Sequence, residues 1–140
     1  MVTQVQRAAL EAHIAGERAR DVDAAMAPLS DNASYVIPGF VLESHAAIRA
    51  MYEFVLPHLP LENFDEYLRA LDDPAVARWG EDHCVLEYTD DYPCHRNMVV
   101  VIHFEGDRVK SENTYYRTAE QPAFPAEQVF KGVAGVRPCG

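Results

Sequence analysis

His13, Asp90 and Glu112 are the side chains of this 140-residue chain whose positions and ionisation suit the transfer of a proton near neutral pH. His13 lies on one face of a helical stretch with Val5 and Ala9, beside Leu10, Ile14 and Glu17. An imidazole there is either a satisfied core residue or a group poised to gain and lose its charge around pH 7. Glu112 stands inside a strand-like run, where it either pairs across strands with a Lys or Arg or serves as an acid or base. Asp90, beside Asp91 at a strand end, is either a reacting carboxylate or a solvated turn residue. Tyr35, Tyr52, Tyr88 and Tyr116 add phenols that can wall a pocket and orient a ligand. His83, Cys84, Cys94 and His95 are metal-ligand types, but they lack the paired short spacing of a zinc site. No metal and no cofactor is expected, and His45, His58 and His103 read as structural.

Composition narrows what these groups can act on. A net charge of −10 sets the chain against phosphate backbones and anionic lipid, so neither nucleic acid nor membrane is an expected partner. Three cysteines without a C-x-x-C pair fit a reducing compartment, and the N-terminal stretch has no signal-peptide pattern, so a cytoplasmic location is expected. With 49% of its residues hydrophobic and a length suited to one core, the chain reads as a single globular domain.

The elements that must position the candidates follow from periodicity and punctuation. Val5 to Arg20 reads as a helix weakened by Gly16. Asp21 caps a second helix, Val22 to Leu29, which Pro28 and Ser30-Asp31-Asn32 close. Ala33 to Ile37 is a short strand stopped by Pro38-Gly39. Ser44 caps a third helix, His45 to Leu56, with Ile48, Met51, Tyr52 and Val55 as its apolar stripe. Glu62 to Leu71 alternates in part and reads as a strand, followed by strands Ala75 to Trp79 and His83 to Thr89. Asn97 to Phe104 and Arg108 to Arg117 form the clearest hairpin, around Glu105-Gly106-Asp107. Helices first and hairpins afterwards predict an α+β fold.

Met98-Val99-Val100-Val101-Ile102 is apolar at both parities, which predicts cover on both faces of the sheet. Helices can supply one cover. A second copy of the chain, or its own C-terminal tail, must supply the other.

Three strings in order carry a resemblance: Asp21-Val22-Asp23-Ala24-Ala25-Met26, then Ala46 to Tyr52, then Gly106-Asp107-Arg108-Val109 through Ser111-Glu112 to Tyr115-Tyr116. From about residue 5 to 117 the chain resembles the SnoaL-like polyketide cyclases of the nuclear-transport-factor-2-like superfamily. Ketosteroid isomerases and limonene epoxide hydrolases are relatives there. The resemblance implies a cystatin-like α+β barrel, in which a curved antiparallel sheet wraps about three helices around a cone-shaped, mostly apolar pocket. Homodimers through the convex sheet face are common in that superfamily. It also implies a domain over 1–118 and an irregular tail over 119–140 within the same unit. The relatives' usual acids are missing. Ile37 and Val100 stand where ketosteroid isomerases carry theirs, His13 stands at their oxyanion tyrosine, and Arg117 replaces the aspartate that usually closes the last strand.

If Ile37 and Val100 face the pocket as their counterparts do, alternation turns Tyr35, Met98 and Ile102 inward as well. The same matching turns in Glu112, Thr114 and Tyr116 on the last strand, and Leu86, Tyr88 and Asp90 on the strand before the loop. His13 and Tyr52 would enter from the helices. The expected function is cofactor-free acid/base chemistry (cyclisation, isomerisation, dehydration or epoxide opening) on a small hydrophobic oxygenated metabolite. Glu112 or Asp90 would move the proton, and His13 with Tyr52 would stabilise the oxyanion. Tyr35, Tyr52, Tyr88, Thr114, Tyr116, Met98, Val100 and Ile37 would hold the substrate. The alternative is a binding protein that uses the same pocket without catalysis.

Overall fold

The computed structural model describes residues 1–118 and 124–139. Helix α1 (Gln4–Arg18) begins at Thr3, whose hydroxyl accepts from the Gln6 amide while the Gln6 side chain returns to Thr3 N, a reciprocal cap. Helix α2 (Val22–Met26) starts at Asp21 and α3 (His45–Val55) at Ser44, as their cap-forming side chains predict. Gly16 is required by packing: a Cβ at this position would collide with the backbone of Ala24 and Ala25, so α2 can fold back on α1 only over a glycine.

The sheet has seven strands: β1 (Leu29–Ile37), β2 (Phe40–Leu42), β3 (Ala77–Trp79), β4 (His83–Glu87), β5 (Met98–Glu105), β6 (Arg108–Tyr116) and β7 (Val136–Pro138). Their order is β3-β4-β5-β6-β1-β2-β7. The expected antiparallel sheet is mixed, because β1 pairs with β6 in parallel. Half of the chain lies between these two strands, so no tight turn has to join them and either direction is open. The β5–β6 hairpin turns at Gly106, with φ 57°, where the sequence predicts it.

Four expectations need correction. Residues 61–71 form helix α4 (Leu61–Leu71), not a strand; Phe64, Tyr67 and Leu71 recur at helical spacing and are buried, and Pro60 precedes the first turn. The second helix stops at Met26, and Leu29 to Asn32 belong to β1, whose pairing with β6 shifts register between Leu29 and Ser34 to accommodate the polar run. Asp90, expected to turn inward with Leu86 and Tyr88, is instead exposed on the turn beyond β4. The tail is not irregular throughout. Helix α5 (Ala126–Val129) precedes β7, which pairs with β2 and extends the sheet at its edge; residues 119–123 lie outside the described residues.

Helices α1, α3 and α4 pack on one face of the sheet, against the buried parity of the strands: Tyr35 and Ile37 of β1, Leu86 of β4, Val100 and Ile102 of β5. Val99, Val101 and Val85 have the opposite parity and stay half-buried, and Tyr115 beside Val99 is 45% exposed.

Candidate active site

The polar centre of the molecule is built on α1. His13 and Glu17 are one helical turn apart, on the stripe that also buries Leu10 and Ile14. His13 is fully buried, and its Nδ1 lies 2.5 Å from the Ala25 carbonyl, which can only accept, so Nδ1 carries a proton. At Nε2 stand the hydroxyls of Tyr52 at 3.0 Å and Tyr35 at 3.1 Å, Glu112 Oε2 at 3.3 Å and Glu17 Oε1 at 3.5 Å. The two tyrosine hydroxyls are themselves 2.8 Å apart. Glu112 Oε2 also accepts a 2.9 Å hydrogen bond from Tyr67 of α4.

Both nitrogens of His13 therefore face acceptors, which suits the imidazolium. Burial works against that charge, but the Glu17 and Glu112 carboxylates outweigh it and raise the His13 pKa to about 9. Burial raises Glu17 to about 8, helped by the neighbouring Glu112 charge and opposed by His13. The same burial, reinforced by the nearby acids, raises Tyr35, Tyr52 and Tyr67 well above the ordinary phenol value, so all three remain hydrogen-bond donors. Glu17 Oε1 is buried without a hydrogen-bond partner among the described residues.

A cavity of about 330 Å³ opens above this centre. Glu17 and Glu112 stand at its base, Tyr67 and Phe64 on the α4 side, Val100 and Thr114 on the sheet side, and Tyr88 and His95 beside the loop that follows β4. Met98, Thr114, Tyr116 and Leu59 also face a second, more apolar cavity of about 320 Å³, to which Ile37, Met51 and Phe54 contribute.

The predicted residues thus separate into three groups. Glu112, Tyr88, Thr114, Tyr116, Met98 and Val100 line the first cavity, and Ile37 lines the second. His13, Tyr35 and Tyr52 lie beneath the floor, behind Glu17 and Glu112, so they reach a ligand only through those carboxylates. Asp90 is exposed and joins neither cavity.

Four contributors escaped the sequence reading. Glu17 was legible in principle, four residues from His13 on the same buried face. Glu66 and Tyr67 required α4 to be read as a helix. His95 was grouped with Cys84 and Cys94 as a metal-ligand type, and the fold does not assemble that group. Among the described residues, His13, Glu17 and Glu112 are the set whose ligand atoms lie close enough, within 4.8 Å of one another, to share a cation. Two tyrosine hydroxyls already crowd Nε2, the nitrogen such an ion would need.

No protein-family model and no curated protein matches the sequence significantly. Solved structures do match in fold. An NTF2-like protein from Burkholderia xenovorans LB400 superposes with a TM-score of 0.50 at 14% identity, covering 82% of this chain and 91% of that one. An NTF2-like protein of unknown function from Cytophaga hutchinsonii aligns at TM-score 0.47 and 16% identity over 83% and 94% of the two chains. An uncharacterized cystatin-fold protein from Novosphingobium aromaticivorans gives 0.48 and 19% over 81% and 99%. The chain has the NTF2-like α+β fold. No helix among the described residues is long and apolar enough to cross a membrane.

Proposed function

We propose that the chain is a small SnoaL-like enzyme that performs acid/base chemistry, without a cofactor, on a hydrophobic oxygenated metabolite held in the 330 Å³ cavity. The observation that carries this reading is Glu112, which faces the cavity while bonded to Tyr67 and in contact with His13. A carboxylate so placed can take a proton from a ligand beside the balancing charge of the imidazolium below, or hand to a ligand a proton received from that imidazolium. The second, apolar cavity suits the hydrocarbon part of such a ligand.

The test needs no knowledge of the natural substrate. 2-Tetralone, an apolar ketone with acidic α-protons, should exchange those protons for deuterium faster with the protein than with free imidazole and acetate. Glu112→Gln should lower that exchange roughly a hundredfold, the scale of general acid–base catalysis. Binding of the ketone without faster exchange would favour the non-catalytic binding protein instead.

The half-buried valines on the outer face of β4 and β5, with the exposed ring of Tyr115, support a homodimer through the convex face. The tail cannot be that cover among the described residues, because β7 extends the far edge of the sheet. Val101→Lys would bury an unpaired charge in such an interface and should convert a sedimenting dimer to monomer. A wild-type monomer at micromolar concentration would remove the dimer from the proposal.

A further inference from the structure

A second imidazole–carboxylate pair faces the same cavity, and nothing in the reading above uses it. His95 sits in the segment between β4 and β5 and is 7% exposed, as is Glu66 of α4. His95 Nδ1 lies 2.8 Å from Glu66 Oε2. The Glu66 carboxylate is itself held, because the Cys94 amide donates to both of its oxygens at 3.1 and 3.3 Å. A carboxylate at Nδ1 requires the proton on that nitrogen, which leaves the Nε2 lone pair free in the neutral ring. Nε2 has no hydrogen-bond partner among the described residues, and His95 lines the cavity.

The ring is held at Nδ1 and across one face. It stacks on Tyr88 at 4.5 Å between centroids and 17° between planes. The segment that bears it is tied to α4 by Arg69, which donates to the Asp91 carbonyl at 3.0 Å and lies over the Tyr92 ring at 4.2 Å. Tyr92 in turn donates to Asp73 at 2.7 Å. The Tyr88 hydroxyl, fully buried against the same cavity, has no hydrogen-bond partner among the described residues. A buried donor left unsatisfied keeps an uncompensated desolvation penalty, which a ligand oxygen that accepts from it removes.

We propose that His95, oriented by Glu66, is the general base of this cavity, and that Tyr88 donates to the oxygen of a carbonyl ligand beside it. The inference rests on the acid/base reading and divides its labour. The ligand's α C–H bond breaks, its proton goes to His95 Nε2, and the bonding pair moves through the α-carbon to the carbonyl oxygen, held as an enolate by the Tyr88 hydroxyl. The Glu112–His13 side then supplies a proton, to a different carbon in a double-bond shift or to the departing oxygen when a β-hydroxyl leaves as water, and proton exchange with solvent restores both groups. That pairing suits a double-bond shift or the loss of a β-hydroxyl, reactions that need one group to remove a proton and another to supply one. The electrostatics agree: burial lowers His95 despite Glu66 and Glu112, so the ring is unprotonated and ready to accept, and burial and Glu112 hold Tyr88 as a protonated donor.

Nitrogen-15 NMR of the labelled full chain at pH 7 should show His95 neutral, with Nδ1 protonated and Nε2 bare. Glu66→Gln should redistribute that proton between the two nitrogens, a change that a merely structural glutamate would not produce. In the 2-tetralone assay, His95→Gln should slow exchange roughly a hundredfold with the folded spectrum retained, and Glu66→Gln about tenfold. A charged His95, or a proton fixed on Nε2, overturns the proposal. Exchange that depends on Glu112 but is untouched by His95→Gln overturns it too and leaves the acid/base reading standing. Absence of exchange in the wild type removes both. Should His95→Gln not fold, His95→Asn and Tyr88→Phe supply the same comparison.

Discussion

His13 and His95 are both buried imidazoles in contact with glutamate, yet their environments drive them in opposite directions. His13 is pushed up to about 9 because two carboxylates overcome the cost of burial. His95 falls below its ordinary value because burial prevails over Glu66, whose oxygens already accept from the Cys94 amide, and over the charge of Glu112. A glutamate beside a histidine therefore does not by itself make an imidazolium. The balance between burial and the carboxylates close enough to oppose it decides, and the result is one group that stores a proton and one that can receive it.

The most severe way to break this comparison is to remove each ring in turn. His13→Phe leaves Glu17 and Glu112 without their cation and should cost on the order of 3–5 kcal/mol in urea unfolding. His95→Gln removes one charge-assisted hydrogen bond and should cost about 1–3 kcal/mol. Equal losses would show that the two pairs have the same electrostatic character.

A pH profile sharpens the contrast. His13 is raised in the folded protein, so its contribution is complete below about 6.5 and is lost as pH rises through about 9. Glu17 is also raised, from 4.5 to about 8, so its protonated form favours folding and stability again falls as pH rises across that window. His95 is lowered and acts in the reverse sense: stability is lost as pH falls below about 6.5. Thermal unfolding from pH 5 to 9.5 should show a decline on the alkaline side that Glu17→Gln flattens and His95→Gln leaves unchanged.

The smallest expected effect is at Asp90. Asp90→Asn should change stability by no more than about 0.5 kcal/mol and leave 2-tetralone exchange as it is, because the side chain is exposed and borders neither cavity. A marked loss of exchange would bring the turn after β4 into the site.

How much of this was legible differs from element to element. The inward direction of Glu112 followed from the family resemblance together with strand parity, since a strand places alternate residues on opposite faces, and Tyr67 and His13 do meet it there. The α4 segment was misread because Leu61, Phe64, Tyr67, Leu68 and Leu71 satisfy both a partial alternation and a helical stripe. With α4 went Glu66, which holds His95, and Tyr67, which bonds Glu112 beside His13. The tail's contribution was also hidden, because a three-residue strand such as β7 has no period of its own and exists only where the β2 edge accepts it.

Local chemistry in the sequence was enough to determine the caps at Asp21 and Ser44, the turn at Gly106 and the order of helices before hairpins. Each depends on residues a few positions apart. The roles of the two histidines depend on groups far away in the chain, Glu112 for His13 and Glu66 for His95, separated by 99 and 29 positions. Ionisation in a buried site is set by the charges and solvent that surround it in space. Only the packing of α1 and α4 against β6 and the β4–β5 segment could decide which imidazole would hold a proton and which would face the cavity without one.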